Sequence, residues 1–344
     1  MKAVRLTRWQ AEPELLDVPV PEPGPGQVLL KVAGAGACHS DLHVMEWPEG
    51  ALPYPLPFTL GHENAGWVER TGPGVAGFEK GDPVIVYGPW GCGSCRRCAQ
   101  GAENYCRRAA DLGVAGGGLG RDGGMAEYML VPSARWLVPL GDLDPVTAAP
   151  LADAGLTPYH AIKRSIPKLV PGAAAVVIGV GGLGHVAVQI LKAVAPATVI
   201  AVDLADDKLD LARRAGADHT VRSGPDAAAR IRDLTDGQGA DLVLDMVGAQ
   251  PTVELAASAA AVLGDLTIVG LAGGRLPVAY GLVPSECSVT TPYWGTRDEL
   301  IEVVALARAG LVAPHVETFP LALFHEVYRR MREGRLEGRA VLVP

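Results

Sequence analysis

Four cysteines fall within fifteen residues: Cys92-Gly-Ser-Cys95-Arg-Arg-Cys98, a gap of seven, then Cys106. Thiolates this close in sequence can surround one tetrahedral ion, and zinc is the metal such a sulfur set usually holds. The competing reading is an iron–sulfur cluster. The bacterial cluster pattern has a shorter last gap and a proline after its final cysteine, whereas here the gap is seven and Arg107 follows. Zinc is the expected metal. With four protein ligands no position stays open, so the role is structural, tying down a loop that has little core of its own. Two further ligand types stand upstream, Cys38 and the histidine of Gly61-His62-Glu63. A catalytic zinc keeps one position open, so a closed site for folding and an open site for chemistry are expected.

At 344 residues the chain is long enough for two domains of ordinary size. Its net charge is −8 and no lysine/arginine block stands out. An electrostatic nucleic-acid footprint is therefore absent, and nothing favours an anionic membrane surface. Met1-Lys2-Ala3-Val4-Arg5-Leu6 lacks the apolar stretch of a signal peptide. The most apolar region, 173–202, is broken by glycines and by His185, Gln189 and Lys192 at helical spacing. It reads as strand, turn and helix, not as a membrane span. Clustered cysteines without an export signal favour metal binding in a reducing cytoplasm over disulfides. Cys287, which has no partner-like neighbour, reads as a buried structural thiol.

Residues 1–150 are rich in Pro, Gly and β-branched residues, with short apolar runs at 28–32, 81–86 and 125–131. They predict an all-β, barrel-like domain whose loops carry the metals, the lobe at about 90–110 included. From residue 151 to 288 the pattern alternates. Strands are expected at 174–178, 198–202, 241–245 and 266–269, with helices at 183–194 and 206–215. That rhythm predicts an α/β, doubly wound parallel sheet of the Rossmann type. Residues 289–344 leave the rhythm and are expected to return to the first domain.

Between the first of these strands and its helix lies Gly179-Val-Gly181-Gly182-Leu183-Gly184, a G-x-G-x-x-G turn. The first glycine permits the tight turn, the second lets the backbone approach a pyrophosphate, and the third allows close helix–strand packing. Asp203 follows nineteen residues after Gly184, at the end of the next strand. A carboxylate there accepts hydrogen bonds from the adenosine ribose and repels a 2′-phosphate, so NAD is favoured over NADP.

Gly61-His62-Glu63-Asn-Ala-Gly66, five residues, Gly72, two residues and Val75 resemble the zinc-containing alcohol dehydrogenase signature. Cys38-His39-Ser40-Asp41, the cysteine lobe and the glycine turn match in the same order. The resemblance is to the medium-chain, zinc-dependent dehydrogenases, especially bacterial NAD-dependent secondary alcohol dehydrogenases, and spans essentially the whole chain. It implies a GroES-like catalytic domain, two zinc ions per chain and a homo-oligomer, dimer or tetramer. Many members supply a third catalytic ligand as cysteine where this chain has Asp153; some use aspartate, and the ligand charge is unchanged. Cys38, His62 and Asp153 are thus the implied catalytic ligands. Glu63 is either a transient fourth ligand or a carboxylate behind the first ligand shell.

The resemblance also implies that Ser40 hydrogen-bonds the alcohol and starts a proton relay. His43 stands either at its end or merely at the pocket edge. Cofactor contacts implied in the same way are His39 to a phosphate, Lys208 to the ribose, Arg339 to the pyrophosphate, and Val247 and Val269. Tyr54, Leu119 and Trp294 are substrate-pocket candidates. The expected activity is oxidation of secondary alcohols, with a polyol or sugar as the alternative substrate. A non-catalytic NAD-binding or thiol-sensing protein is a more distant alternative. Zinc-free reductases of this fold fit poorly, because they lack the catalytic ligands.

Overall fold

A computed structural model describes all 344 residues. The chain divides into two compact units. The first comprises residues 1–156, 294–309 and 316–344, the second residues 157–293 and 310–315.

The first unit is built on a seven-stranded sheet. Its strands run in the order Leu137–Pro139, Pro83–Val86, Glu63–Thr71, Val28–Gly36, Arg339–Val343 and Val316–Pro320, with Tyr128–Val131 paired to the far end of Val28–Gly36. Val28–Gly36 is the organising strand, buried at every position except Lys31, which explains its run of Val, Leu, Ala and Gly. Its pairing with Glu63–Thr71 shifts register between Leu29 and Leu30 and between Val32 and Gly34. Such bulges bend a strand and increase its twist, curling a sheet toward a barrel. The backbones approach closely enough that a Cβ at Gly66 would collide with the Lys31 carbonyl. This curled sheet has the β-rich, barrel-like character expected of the first half of the chain. A second core joins Val4, Leu6, Phe58 and Leu60 to Phe324, Val327 and Tyr328 of the C-terminal helix Phe324–Arg332.

The second unit holds a six-stranded, all-parallel sheet. Its order is His219–Arg222, Thr198–Asp203, Ala174–Ile178, Ala240–Asp245, Ala260–Ile268 and Ser288–Thr290. By first appearance this is 3-2-1-4-5-6, the doubly wound dinucleotide-binding order. Val176, Ile200, Val202, Val243 and Leu266 are fully buried, as expected of strands covered on both faces.

Three expectations are corrected. The fifth strand starts at Ala260, not Leu266; its alanines have high helix propensity and masked it. The first boundary falls after Leu156 instead of 150, because the short helix Ala149–Ala152 packs on the strands Val28–Gly36 and Glu63–Thr71. The return begins at Trp294 rather than 289, since Ser288–Thr290 is the sixth strand of the parallel sheet, and residues 310–315 belong to the second unit. Cys287 is half-buried beside that sheet's core, and burial pushes its thiol pKa up. No helix is long and apolar enough to cross a membrane.

Candidate active site

Cys38 lies two residues past the strand Val28–Gly36, and His62 directly precedes the strand Glu63–Thr71, where Gly36 pairs with Glu63. Antiparallel pairing therefore brings the two side chains to one end of the sheet. Asp153 arrives from the end of the helix Ala149–Ala152. The chain enters that segment through Pro145–Ala148, whose Asp144 cap accepts the Val146 N–H at 3.1 Å. One ligand atom each from Cys38, His62 and Asp153 lies within 4.8 Å of the others. The Asp153 Oδ2 is 3.7 Å from both Cys38 Sγ and His62 Nε2. A sulfur, an imidazole nitrogen and a carboxylate oxygen converging in a buried site are a zinc donor set. Burial opposes a charge on His62, but Asp41, Asp153 and Cys38 outweigh it and hold the imidazole pKa well above its ordinary value. The site attracts a cation, and the residues present fit zinc.

Carboxylates stand behind these donors. Asp41 is fully buried; its Oδ1 lies 3.1 Å from His62 Nδ1 and its Oδ2 accepts the Cys38 N–H at 2.9 Å. Glu63 accepts Arg339 Nε at 2.8 Å, Arg339 Nη2 at 2.6 Å and the Ala154 N–H at 2.9 Å. Both of its oxygens are thus engaged. Burial raises its pKa while Arg339 opposes the rise. Arg339, expected at the pyrophosphate, is buried, grips Glu63 with two nitrogens and lies 3.8 Å from Asp153. A carboxylate as deeply buried as Glu63 requires that partner.

Ser40 Oγ is 3.2 Å from His62 Nε2, so the hydroxyl reaches the three-donor cluster. His43 lies three residues on, half-buried on the same face of the helix His39–Glu46. Desolvation and the charge of Arg339 lower the His39 pKa. Trp294 stands edge-on to His62, with ring centroids 5.7 Å apart at 82°. Its φ is +53°, a left-handed conformation that a bulky residue keeps only when its surroundings hold it there. A Cβ on Gly88 would touch its ring, and the Tyr87 hydroxyl donates to the Gly295 carbonyl at 2.7 Å. Tyr54 and Leu119, by contrast, pack against the second core of the unit, Tyr54 edge-on to Phe58 with centroids 6.2 Å apart.

The cysteine lobe is a second donor cluster, with Cys92, Cys95, Cys98 and Cys106 sulfurs all within 4.8 Å. Zinc–sulfur bonds of about 2.3 Å define a tetrahedron with edges of about 3.8 Å; Cys95–Cys98 and Cys92–Cys98 sulfurs are 3.5 and 3.9 Å apart. Backbone N–H groups of Cys92, Cys95 and Arg108 point at the sulfurs of Cys106, Cys92 and Cys106, at 3.3, 3.3 and 3.4 Å. The Ser94 and Cys95 amides bring the Cys92 thiol down to about 5, whereas burial pushes Cys98 up to about 12. The spacing of the four sulfurs also fits zinc. Arg135 clamps the lobe, donating to the Gly93 and Cys98 carbonyls at 3.3 and 3.1 Å and pairing with the buried Glu103.

In the second unit the glycine turn has its expected form. Gly179 has φ +88°, and a Cβ on Gly184 would strike the Gly179 carbonyl, while one on Gly181 would meet nothing within 4 Å. Gly182 and Leu183 complete the turn ahead of the helix Gly184–Val194. Asp203 accepts the N–H groups of Val180 and Leu204, each at 2.7 Å, tying its carboxylate to the turn. Lys208 is buried on the first turn of the next helix. Val247 and Val269 follow the ends of their strands, joined through Asp245, whose Oδ1 and carbonyl accept their N–H groups at 2.9 and 2.8 Å. His185 is fully buried; its Nδ1–H donates to Gly181 O at 2.8 Å and its Nε2 accepts the His315 N–H at 3.0 Å. Sequence reasoning missed Asp41, Asp245 and His185 as site-builders. Only Asp41 carried a signal, standing three residues after Cys38 where a capping residue reaches back to the chain.

Residues 24–142 match the family model "Alcohol dehydrogenase GroES-like domain" and residues 182–309 the model "Zinc-binding dehydrogenase". An NAD-dependent alcohol dehydrogenase of Sulfurisphaera tokodaii is 39% identical, with 100% of each chain covered. A D-arabinose 1-dehydrogenase (NADP(+)) of Saccharolobus solfataricus is 37% identical over 100% of this chain and 97% of that one. The crystal structure of an alcohol dehydrogenase from Aeropyrum pernix superposes with a TM-score of 0.93 at 41% identity, covering 100% of both chains. With these matches over a Cys/His/Asp donor cluster, a four-cysteine lobe and a dinucleotide turn, the chain belongs to the zinc-binding, medium-chain alcohol dehydrogenase family.

Proposed function

We propose that the protein interconverts secondary alcohols and ketones with NAD, using one catalytic and one structural zinc per chain. The observation that carries this reading is the buried convergence of Cys38, His62 and Asp153 with the Ser40 hydroxyl beside it. Three protein donors leave one position for a substrate oxygen. Zinc held there lowers the pKa of a bound hydroxyl and polarises a carbonyl, and the nicotinamide accepts or returns the hydride. The protein's own part is to bind, orient and move the proton. Asp41 orients His62, while Glu63 and Arg339 brace the Asp153 loop through the Ala154 N–H. Ser40 takes the substrate's hydroxyl proton, and His43, one turn on, is its route toward solvent. Trp294, edge-on to His62, bounds the space where the substrate's carbon groups lie. The open space at Gly181 receives the pyrophosphate, and Asp203 favours NAD by accepting ribose hydroxyls and repelling a 2′-phosphate.

Asp153 in place of a thiolate donates less electron density, which makes the held zinc more electrophilic. The four-cysteine lobe takes the second zinc. The working form is a homo-oligomer in a reducing, cytoplasmic setting. A sugar or polyol substrate is the second reading, favoured by the likeness to a D-arabinose 1-dehydrogenase.

The test is NADH formation with matched secondary alcohols, primary alcohols and polyols, repeated with NADP. Strong preference for secondary alcohols and NAD supports the proposal. Preference for polyols reassigns the substrate, and preference for NADP defeats the role of Asp203. Ser40→Ala should lower turnover by about 100-fold or more with the zinc content whole; unchanged turnover removes Ser40 from the mechanism.

A further inference from the structure

Asp41 stands behind two of the three metal donors at once. Its Oδ1 is 3.1 Å from His62 Nδ1, and neither of these buried atoms has another partner. Its Oδ2 accepts the Cys38 N–H at 2.9 Å, and its own N–H donates to the Cys38 carbonyl at 3.0 Å. A tilt of this one carboxylate moves the orientation of both Cys38 and His62. Being fully buried, it must find its compensation within the protein.

The remaining donor comes from far along the chain. Tyr328, on the helix Phe324–Arg332, is fully buried, and its hydroxyl lies 3.3 Å from Asp41 Oδ2 and 3.2 Å from Met125 Sδ. A phenol has one proton to donate, and a carboxylate is a far better acceptor than a thioether. The hydroxyl therefore belongs to Asp41, and Met125 serves as the wall that aims it. Burial, with the charges of Asp41, Cys38 and Glu12, keeps the phenol protonated and hence a donor.

We propose that Tyr328 is a positioning residue of the metal centre, fixing Asp41 and through it the orientation of His62 and Cys38. The proposal rests on the reading of Cys38, His62 and Asp153 as metal ligands. A helix of the last fifth of the chain thereby governs ligands from its first fifth without touching metal or substrate.

The experiment compares wild type with Tyr328→Phe, which keeps the ring and removes the hydroxyl. Holoenzyme is prepared with cobalt(II) exchanged into the open site and its visible absorption recorded; zinc loss to a chelator is then timed. The expected result is a shift of the cobalt bands and about tenfold faster loss of one zinc per chain, the loss of the other unchanged. Met125→Leu, which removes only the sulfur contact, should leave bands and release at wild-type values. Lower thermal stability with unchanged bands and release marks Tyr328 as packing alone and overturns the proposal. If the Phe variant does not fold, Asp41→Asn, which leaves Tyr328 in the core, should show the same band shift; unchanged bands there overturn the proposal equally. Cys38→Ser checks the underlying site independently, because full metal content in that variant defeats the ligand reading whatever Tyr328 does.

Discussion

Arg339 and Glu63 are both almost wholly buried, and each offsets the other's lost hydration. Removing one partner strands a buried charge, whereas removing both need not. Arg339→Met should therefore destabilise the protein by about 3–5 kcal/mol. Glu63→Gln combined with Arg339→Met should recover a large part, as read by denaturant midpoints. Equal loss in the single and double variants would show that the charge pairing is not what holds the site. The pair also shows where sequence reading stops. The glycine spacing, the cysteine spacing and the order of Cys38, His62 and Asp153 were legible because they are local or follow a fixed signature. That Arg339 faces Glu63, 276 residues away, or that Tyr328 faces Asp41, 287 residues away, depends on which strands and helices meet, and no local pattern records it.

At the scale of elements, the glycine turn separates two demands that look alike in sequence. A methyl at Gly184 strikes the Gly179 carbonyl, so Gly184→Ala should lower the melting temperature. A methyl at Gly181 meets nothing, so Gly181→Ala should leave the melting temperature within a degree or so of wild type yet weaken NAD binding. Equal behaviour of the two in thermal melts and NAD titration would refute this division of roles. A second prediction concerns the sheet edge next to the helix Gly184–Val194. Asp218 is partly desolvated, which raises its pKa, but the Val199 N–H at 2.8 Å and Lys192 Nζ at 2.9 Å outweigh this and lower it. A depressed carboxylate pKa means stability present above the ordinary value near 4 and lost as pH falls through the folded value. Asp218→Asn should cost about 1 kcal/mol at pH 7, after allowing for solvent screening, and the cost should vanish once the pH falls below the folded pKa. A pH-independent difference would place the effect in packing. The strand beginning at Ala260 illustrates the converse, because an alanine run with helical propensity becomes β-structure once a parallel sheet offers it a place.

For the molecule as a whole, two donor clusters predict two kinds of dependence on metal. The four-cysteine lobe buries little besides Cys98, Cys106, Asn104 and the Arg135–Glu103 clamp, so a zinc held there would be part of its fold. The Cys38/His62/Asp153 cluster is framed by the sheet and should keep its shape without metal. Full stripping with a chelator should release two zinc ions per chain, with one loss tracking activity and the other tracking a fall in melting temperature. Release of a single ion would reduce the count. The division into two units was legible from the change in rhythm near residue 150, but its exact edges were not. They depend on the sixth strand Ser288–Thr290 and on the segment 310–315, held by His185 and Gln189. The first is only three residues long, and the second forms neither strand nor helix.

The last strand, Arg339–Val343, lies inside the first unit's sheet, hydrogen-bonded to Val28–Gly36 on one side and Val316–Pro320 on the other, and it carries Arg339 to Glu63. During synthesis, the main body of the second unit, residues 157–293, is a continuous stretch that leaves the ribosome before the last strand of the first. The strand that closes the metal-site sheet follows 46 residues later, about 2–9 s at ordinary elongation rates. In that interval Glu63 has no arginine, Asp41 waits for Tyr328, and an edge of the central strand stands unpaired. The first unit, begun before the second, is thus closed after it, and until Arg339–Val343 arrives its metal-site sheet stays unfinished.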